Sequence, residues 1–222
     1  FLTAVTAFSQ TPMKTAAEAK LSASDLAVKI ADRILATTTY EFKNTKTGKT
    51  YKSVKNLPLD MNVKVACKYN NWHYTNGVTH IALMELADKT GAKKYDDYVL
   101  KNMNFVFNEG NLDFFKKQYE QAMKNEGWYG VRKLSWHMIF RGKRLDDNGP
   151  MGASLIDLQM KHPNNSFLNY INETAEHLNY GEPRLADGTI ARIWPHENTI
   201  WADDAFMAIS FLARMAKMTG DM

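Results

Sequence analysis

The sequence has almost no cysteine and no long apolar run, and each absence excludes a class of protein. Cys67 is the only cysteine among 222 residues, so no intrachain disulfide can form. No uninterrupted apolar stretch approaches the roughly 20 residues that a membrane-spanning helix needs. The six histidines contain no His-Glu-x-x-His pattern, and no second cysteine completes a zinc site, so no metal site is predicted.

The short glycine-rich motifs of several enzyme classes are also missing. There is no Gly-x-Ser-x-Gly turn of a serine hydrolase and no dinucleotide-binding glycine turn. The Gly-Lys-Thr at residues 48–50 lacks the earlier glycine of a phosphate-binding loop and is interpreted as a turn. The net charge of +4 is dispersed along the chain, which gives little support to a nucleic-acid partner.

Helical periodicity is what the sequence has in abundance. Hydrophobic residues make up 45% and charged residues 23%, an ordinary globular composition. The first predicted helix follows Ser22 or Ser24 as a candidate cap, and its apolar residues recur on one face. Strand-like alternation is convincing only over residues 38–54, which predicts a small β-hairpin with its turn near Gly48.

Three segments share one plan, in which a small residue begins an apolar helix and a turn with Gly or Asn follows it. They cover residues 76–99, 150–171 and 205–221. A repeated helix pair must stack on its neighbours to bury its apolar face, either in an open array or in a closed ring of hairpins. The third copy stops where its second helix should begin, so we expect the chain to be a fragment that lacks most of the second half of its domain.

The first 20 residues resemble the end of a secretory signal. The chain begins with Phe rather than Met, and small and apolar residues near Val5–Ala7 are typical of a cleavage site. We therefore expect residues 1–20 to be a signal-peptide remnant of a periplasmic or secreted bacterial protein. A frayed or amphipathic N-terminus is the alternative interpretation.

Two pairs of adjacent aspartates stand before apolar helices. Asp146 and Asp147 precede a helix predicted to begin near Pro150, and Asp203 and Asp204 precede the last one. A carboxylate in the first helical turn contributes about 0.3–1 kcal/mol, so capping alone explains either pair. Neighbouring helical residues point about 100° apart, however, so one residue can cap while the other faces a cleft. If the repeats stack, Asp146 and Asp203 face each other across a pocket, as acid–base chemistry on a glycoside requires.

Aromatic residues flank the same helix starts. Trp72 and Tyr74 precede the first repeated helix, and Trp194 and Trp201 precede the third. Such side chains are typical of a stacking platform for sugars, and ordinary core packing is the alternative. Arg192 is suited to a bidentate contact with a substrate carboxylate, or it is a solvated loop arginine.

Four segments, taken in order, resemble the unsaturated uronyl hydrolases of glycoside hydrolase families 88 and 105. They are "NNWHYTNGVTHIALMELADKTGAKKYDDYV", "RLDDNGPMGASLIDL", "DGTIARIWP" and "TIWADDAFMAISFLARMAKMTGD". The likeness is closer to the unsaturated rhamnogalacturonyl hydrolases of family 105, particularly those of Bacteroidetes. It implies an all-α fold, the (α/α)6 barrel of six helical hairpins with the site in a central funnel. Residues 21–222 would then be the N-terminal part of the catalytic domain.

The resemblance also implies an activity and its residues. A catalytic aspartate protonates C4 of a 4,5-unsaturated uronic acid and activates the water that adds at C5, with no metal or organic cofactor. Asp203 matches this acid–base residue and must hold a proton near neutral pH. Its pKa is therefore expected to be raised by the nearby Asp146 charge or by burial, with burial prevailing in the intact barrel. Asp146 matches the second carboxylate, and Asp204 is expected to support the helix start. The predicted substrate-binding residues are Trp72, Tyr74, Arg192 and Trp201.

The expected substrate is an unsaturated oligosaccharide left by a lyase acting on a pectin-like rhamnogalacturonan. The alternative within the enzymes is hydrolysis of unsaturated glucuronyl units from other acidic polysaccharides. A different class, a non-catalytic helical-repeat scaffold, has no need of paired aspartates beside tryptophans on one rim. Residues 108–144 have no counterpart in the more compact members of these families and are expected to form a lid or a subsite wall.

Overall fold

A computed structural model of the protein describes residues 21–142 and 144–221. In this part, the chain forms eight α-helices and three short strands. The helices are α1 (Ala23–Thr37), α2 (Tyr74–Thr90), α3 (Lys94–Val106), α4 (Glu109–Val131), α5 (Met138–Arg141), α6 (Leu145–Lys161), α7 (Asn165–Glu176) and α8 (Ala202–Thr219). The strands are β1 (Phe42–Asn44), β2 (Thr50–Tyr51) and β3 (Val63–Val65). The signal-peptide remnant predicted over residues 1–20 lies outside the described residues.

Local signals place the first helix and the hairpin as predicted. Ser22 caps α1, because its Oγ accepts a hydrogen bond from the Asp25 N–H at 3.0 Å and the Asp25 carboxylate accepts the Ser22 N–H in return. Strands β1 and β2 pair antiparallel, and Gly48 takes a φ of 76° in the turn between them. Strand β3, which the sequence pattern did not reveal, pairs with the other edge of β1.

Helices α2, α6 and α8 pack side by side and form an inner layer. Glycines bring their backbones together near the starts of the helices. A Cβ atom on Gly77 would lie 2.4 Å from the Met151 nitrogen, and one on Gly149 would lie 2.4 Å from the Met207 oxygen. Only glycine fits at these two positions, because a side chain would force the helices apart.

The three inner helices run in the same direction. Near the end of α2, Asp88 pairs with Lys161 at the end of α6, at 2.9 Å. Near the end of α8, the Arg214 Nε donates to Asp157 of α6 at 2.7 Å. Since the close contacts at the other end join the helix starts, all three N-termini lie on one rim of the layer.

The outer layer contains the second helix of each hairpin. Helix α3 packs on α2 and helix α7 packs on α6, each after a turn of three residues. Gly91 ends α2 with a φ of 68°, as the sequence indicated. Large buried side chains fill the space between the layers, among them Trp72, Trp136 and Phe167. The predicted all-α class is confirmed, and the two layers are those of a partial helical barrel.

Helix α6 differs from the prediction at its start. It begins at Leu145, so Asp146 and Asp147 lie in its first turn and do not precede it. Pro150, which was expected near the first position, lies inside the helix. It lacks an N–H, so it removes the hydrogen bond that the Asp146 carbonyl would otherwise accept within the helix.

Candidate active site

A cleft of about 620 Å³ opens at the rim where the inner helices begin. Its walls come from the start of α6, from the chain between α7 and α8, and from the segment that contains α5. Trp128, Arg141 and Arg144 all lie in the segment predicted to form a subsite wall, residues 108–144, and they line this cleft. The lining also contains acidic and basic side chains, whose pairing decides which of them remain available to a ligand.

Arg192 and Asp204 form a bidentate ion pair at the start of α8. The Arg192 Nε lies 2.5 Å from Asp204 Oδ2, and Nη2 lies 2.6 Å from Oδ1. Asp204 is only 4% exposed, and its Oδ2 also accepts the N–H of Trp201 at 3.2 Å. The Asp204 carboxylate raises the pKa of Arg192, so the guanidinium stays charged. Asp204 therefore supports the helix start, as expected from the sequence.

Asp146 and Asp203 lie near the same arginine. The Asp146 Oδ2 is 4.0 Å from Arg192 Nη2, and its half-buried side chain lines the cleft. Asp203, in the first turn of α8, acts with Asp204 and Asp146 in raising the pKa of Arg192. Asp146 and Asp203 thus lie in the first turns of neighbouring helices, on the rim that the repeat predicted.

The burial expected for Asp203 is not observed. Asp203 is exposed and is not part of the cleft lining, whereas its neighbour Asp204 takes the buried position against Arg192. The reason is that α8 packs on α6 through the face that carries Asp204 and Met207, both of which are buried. A residue directly before Asp204 is turned by about 100° from that face.

A second buried ion pair lies beneath the cleft. The Asp147 carboxylate is completely buried and accepts hydrogen bonds from Nε and Nη2 of Arg141. Burial raises the pKa of Asp147, and the Arg141 guanidinium opposes that rise. Sequence reasoning missed Arg141, since nothing in the spacing of residues 141 and 147 indicates that α5 would turn one towards the other.

A third pair joins His177 and Glu182, which also line the cleft. Residues His177–Gly181 form a π-helical turn that extends α7, and it places His177 Nε2 3.0 Å from Glu182 Oε1. The Glu182 side chain is only 7% exposed. Burial raises the pKa of Glu182, and the charge of His177 opposes the rise. The sequence carries no motif that would have indicated this pair.

The four predicted substrate-binding residues differ in position. Arg192 lines the cleft, and its guanidinium lies 4.0 Å above the ring of Trp201, which is 43% exposed. Tyr74 is partly exposed at the start of α2, where its ring stacks on His73 at 4.5 Å. Neither Trp201 nor Tyr74 is part of the cleft lining.

The assignment of Trp72 to the sugar subsite is wrong. Its side chain is 0% exposed and packs edge-on against Tyr170 at 4.9 Å. Its Nε1 donates to the Asp147 carbonyl at 2.7 Å, which joins the chain before α2 to the first turn of α6. Core packing, the alternative interpretation, is what the structure shows. Trp194, which the sequence left undecided, is exposed and lines the cleft.

Within residues 21–142 and 144–221, no group of three His, Cys, Asp or Glu side chains is arranged to hold a metal ion. No helix in this part of the chain is long and apolar enough to cross a membrane.

Comparison with known proteins agrees with the motifs. Residues 45–222 match the family model described as Glycosyl Hydrolase Family 88. No curated protein matches the chain significantly. The matched range contains all three inner helices and every cleft residue described above. The chain therefore belongs to glycosyl hydrolase family 88 and is a glycoside hydrolase.

Proposed function

We propose that this glycoside hydrolase releases a 4,5-unsaturated uronic acid from the non-reducing end of oligosaccharides left by a lyase. The proposed source is a rhamnogalacturonan, which the closer likeness to the rhamnogalacturonyl hydrolases favours. The observation that carries the proposal is the position of Asp146 and Asp203 in the first turns of the adjacent helices α6 and α8, with Asp146 in the cleft wall 4.0 Å from Arg192. Two carboxylates in different surroundings suit a reaction that needs one proton donor and one ionised group.

The ion pairs of the cleft support this division of roles. Asp204 and Asp147 each accept two hydrogen bonds from an arginine, so both carboxylates are already occupied. Neither is free to contact a substrate. Asp146 has only a distant contact with Arg192, and Asp203 is exposed, so these two carboxylates remain available to a substrate.

The proposed reaction is a hydration. Asp203 donates its proton to C4 of the C4=C5 double bond, and water adds at C5 while its proton passes to the Asp203 carboxylate. The resulting C5 hemiketal opens to a ketone, which leaves C1 as a hemiacetal of the leaving sugar. Collapse of that hemiacetal to an aldehyde releases the sugar. One water is consumed and one glycosidic bond is broken.

The test follows the ultraviolet absorbance of the double bond while the protein is incubated with lyase digests. A rhamnogalacturonan digest should lose its absorbance, and the loss should precede or keep pace with the release of reducing sugar. Absorbance loss with glucuronyl digests alone would assign the alternative activity. Sugar release that runs ahead of absorbance loss would contradict the hydration, because direct hydrolysis leaves the double bond intact at first. Absorbance that persists with every digest would contradict the proposal as a whole.

A further inference from the structure

Most charged side chains in the cleft are already paired with each other. Arg192 has two of its donor nitrogens on Asp204, and Arg141 is bonded in the same way to the buried Asp147. His177 faces Glu182 at 3.0 Å. A substrate carboxylate that approached Arg192 or Arg141 would therefore compete with a carboxylate that is already in place. The contact expected of Arg192 from the sequence alone is met by Asp204.

Among the described residues, Arg144 is the cation of the cleft lining that has no such partner. Within residues 21–142 and 144–221, no carboxylate oxygen lies within 4.0 Å of its guanidinium, and its side chain donates no hydrogen bond. The side chain is exposed, and it lies directly before the first residue of α6. All five of its N–H donors therefore remain available in a fixed planar arrangement.

The side chain of Trp194 contacts this arginine. The Arg144 guanidinium lies 5.3 Å from the centre of the Trp194 ring, a cation–π distance. The tryptophan side chain is 62% exposed, although it lines the cleft. An exposed aromatic ring beside a cation fits a sugar with one apolar face and an acidic substituent.

We propose that Arg144 and Trp194 form a subsite that binds the carboxylate and the ring of a uronic acid residue of the substrate. The inference rests on the proposed function for the identity of the ligand, and it names the part of the cleft that recognises the acid. Asp146, two residues after Arg144, lies at the same helix start. A uronic acid bound by Arg144 is thus held next to one of the two available carboxylates.

The kinetic test compares Arg144→Gln with Arg33→Gln, a control at an exposed arginine of α1, outside the cleft. Each variant is assayed on an unsaturated oligosaccharide and on its methyl ester. Loss of a charge-assisted contact should lower kcat/KM of Arg144→Gln on the free acid by about tenfold to hundredfold, mainly through KM. On the methyl ester, kcat/KM of Arg144→Gln should differ little from that of the unaltered protein. Equal losses on acid and ester, or a loss no larger than that of Arg33→Gln, would overturn the proposal.

Two residues of the substrate carry a carboxylate that Arg144 can bind: the unsaturated terminal residue and an interior uronic acid. An unsaturated disaccharide with one carboxylate and a tetrasaccharide with two distinguish them. We expect Arg144→Gln to lower kcat/KM on both substrates, which assigns the bound carboxylate to the terminal residue. A lower kcat/KM on the tetrasaccharide alone assigns it to the interior residue. A loss with neither contradicts the subsite.

A binding measurement separates this proposal from the proposed function. Calorimetry with a saturated galacturonic acid disaccharide reports recognition of the acid without any chemistry. We expect Arg144→Gln to weaken this binding at least tenfold and Trp194→Ala to weaken it as well. If the protein leaves every double bond intact but shows this difference, only the hydration is refuted. If it hydrates the double bond and the disaccharide binds Arg144→Gln as tightly as the unaltered protein, only the subsite is refuted.

Discussion

Replacing Asp203 and Asp204 one at a time by asparagine separates catalysis from support of the helix. The two residues are adjacent, and the change is nearly isosteric at both. Asp204 is buried, pairs with Arg192 through two contacts and accepts the N–H of Trp201. Asp203 is exposed. The same chemical change therefore removes a buried ion pair at one position and a solvated charge at the next.

The size of the effect on stability is set by those contacts. Removing one partner of a buried ion pair costs about 3–5 kcal/mol, because the other charge is left without compensation. At Asp204→Asn the loss is smaller, since the amide oxygen still accepts one hydrogen bond and Asp146 lies only 4.0 Å from Arg192. We expect about 2–3 kcal/mol for Asp204→Asn. Asp203→Asn loses only a charge at the helix N-terminus, worth less than about 1 kcal/mol.

Urea unfolding followed by tryptophan fluorescence measures both free energies, and the slope of the transition should not change. For activity the order of the two variants should reverse, with the larger loss in Asp203→Asn. Asp203→Asn should nearly abolish loss of the double bond in a fully folded protein, whereas Asp204→Asn should retain activity at temperatures where it stays folded. Equal losses of stability would refute the argument from Arg192, and equal losses of activity would refute the assignment of Asp203.

Gly149→Ala places a Cβ atom 2.4 Å from the Met207 oxygen, and denaturant unfolding should show a loss of about 3 kcal/mol. Gly91→Ala, where φ is 68° and no atom lies within 4 Å, should lower the free energy of unfolding by only about 1 kcal/mol. A similar loss of stability for Gly149→Ala and Gly91→Ala would contradict the close helix contact. Burial lowers the pKa of His80 to about 4, so its contribution to stability is complete above pH 6.5 and is lost as the pH falls from about 6.5 towards 4. Between about pH 7 and pH 4.5, the free energy of unfolding of the unaltered protein should fall by about 2 kcal/mol more than that of His80→Phe. Parallel pH profiles of the two proteins would exclude His80 as the cause. Arg141→Met should destabilise the protein by about 3–5 kcal/mol, because it leaves Asp147 charged and buried. In the same unfolding assay, the double variant Arg141→Met/Asp147→Leu should recover most of that lost stability.

Local signals predicted the elements that the chain forms on its own. Ser22 as a cap, Gly48 in a turn with positive φ and Gly91 at a helix end all act within a few residues, so their effect can be seen in the sequence. The three apolar helix starts in the repeat were enough to predict that carboxylates gather on one rim. Strand β3 was missed because three residues carry too little alternation to be distinguished from a loop.

The pairing of charges could not be predicted from the sequence. Arg141 with Asp147, and Arg192 with Asp204, are joined only once α5 and the chain before α8 have folded onto the inner layer. The burial of Trp72 has the same origin, since its partner is a carbonyl 75 residues further along the chain. Whether a tryptophan near a site binds sugar or fills the core depends on such contacts between residues far apart in the sequence.

The glycine contacts between the inner helices have a consequence for how this enzyme can change. Gly149 follows Asp146 by three residues, and Met207, whose backbone it touches, follows Asp203 by four. Main-chain atoms therefore set the spacing of the two carboxylate-bearing turns. We expect substitutions among the surrounding apolar side chains to leave that spacing unchanged. Among the described residues, no glycine makes such a close contact with Arg144 or Trp194. New substrate preferences are thus expected to arise there, while the two carboxylates keep their separation.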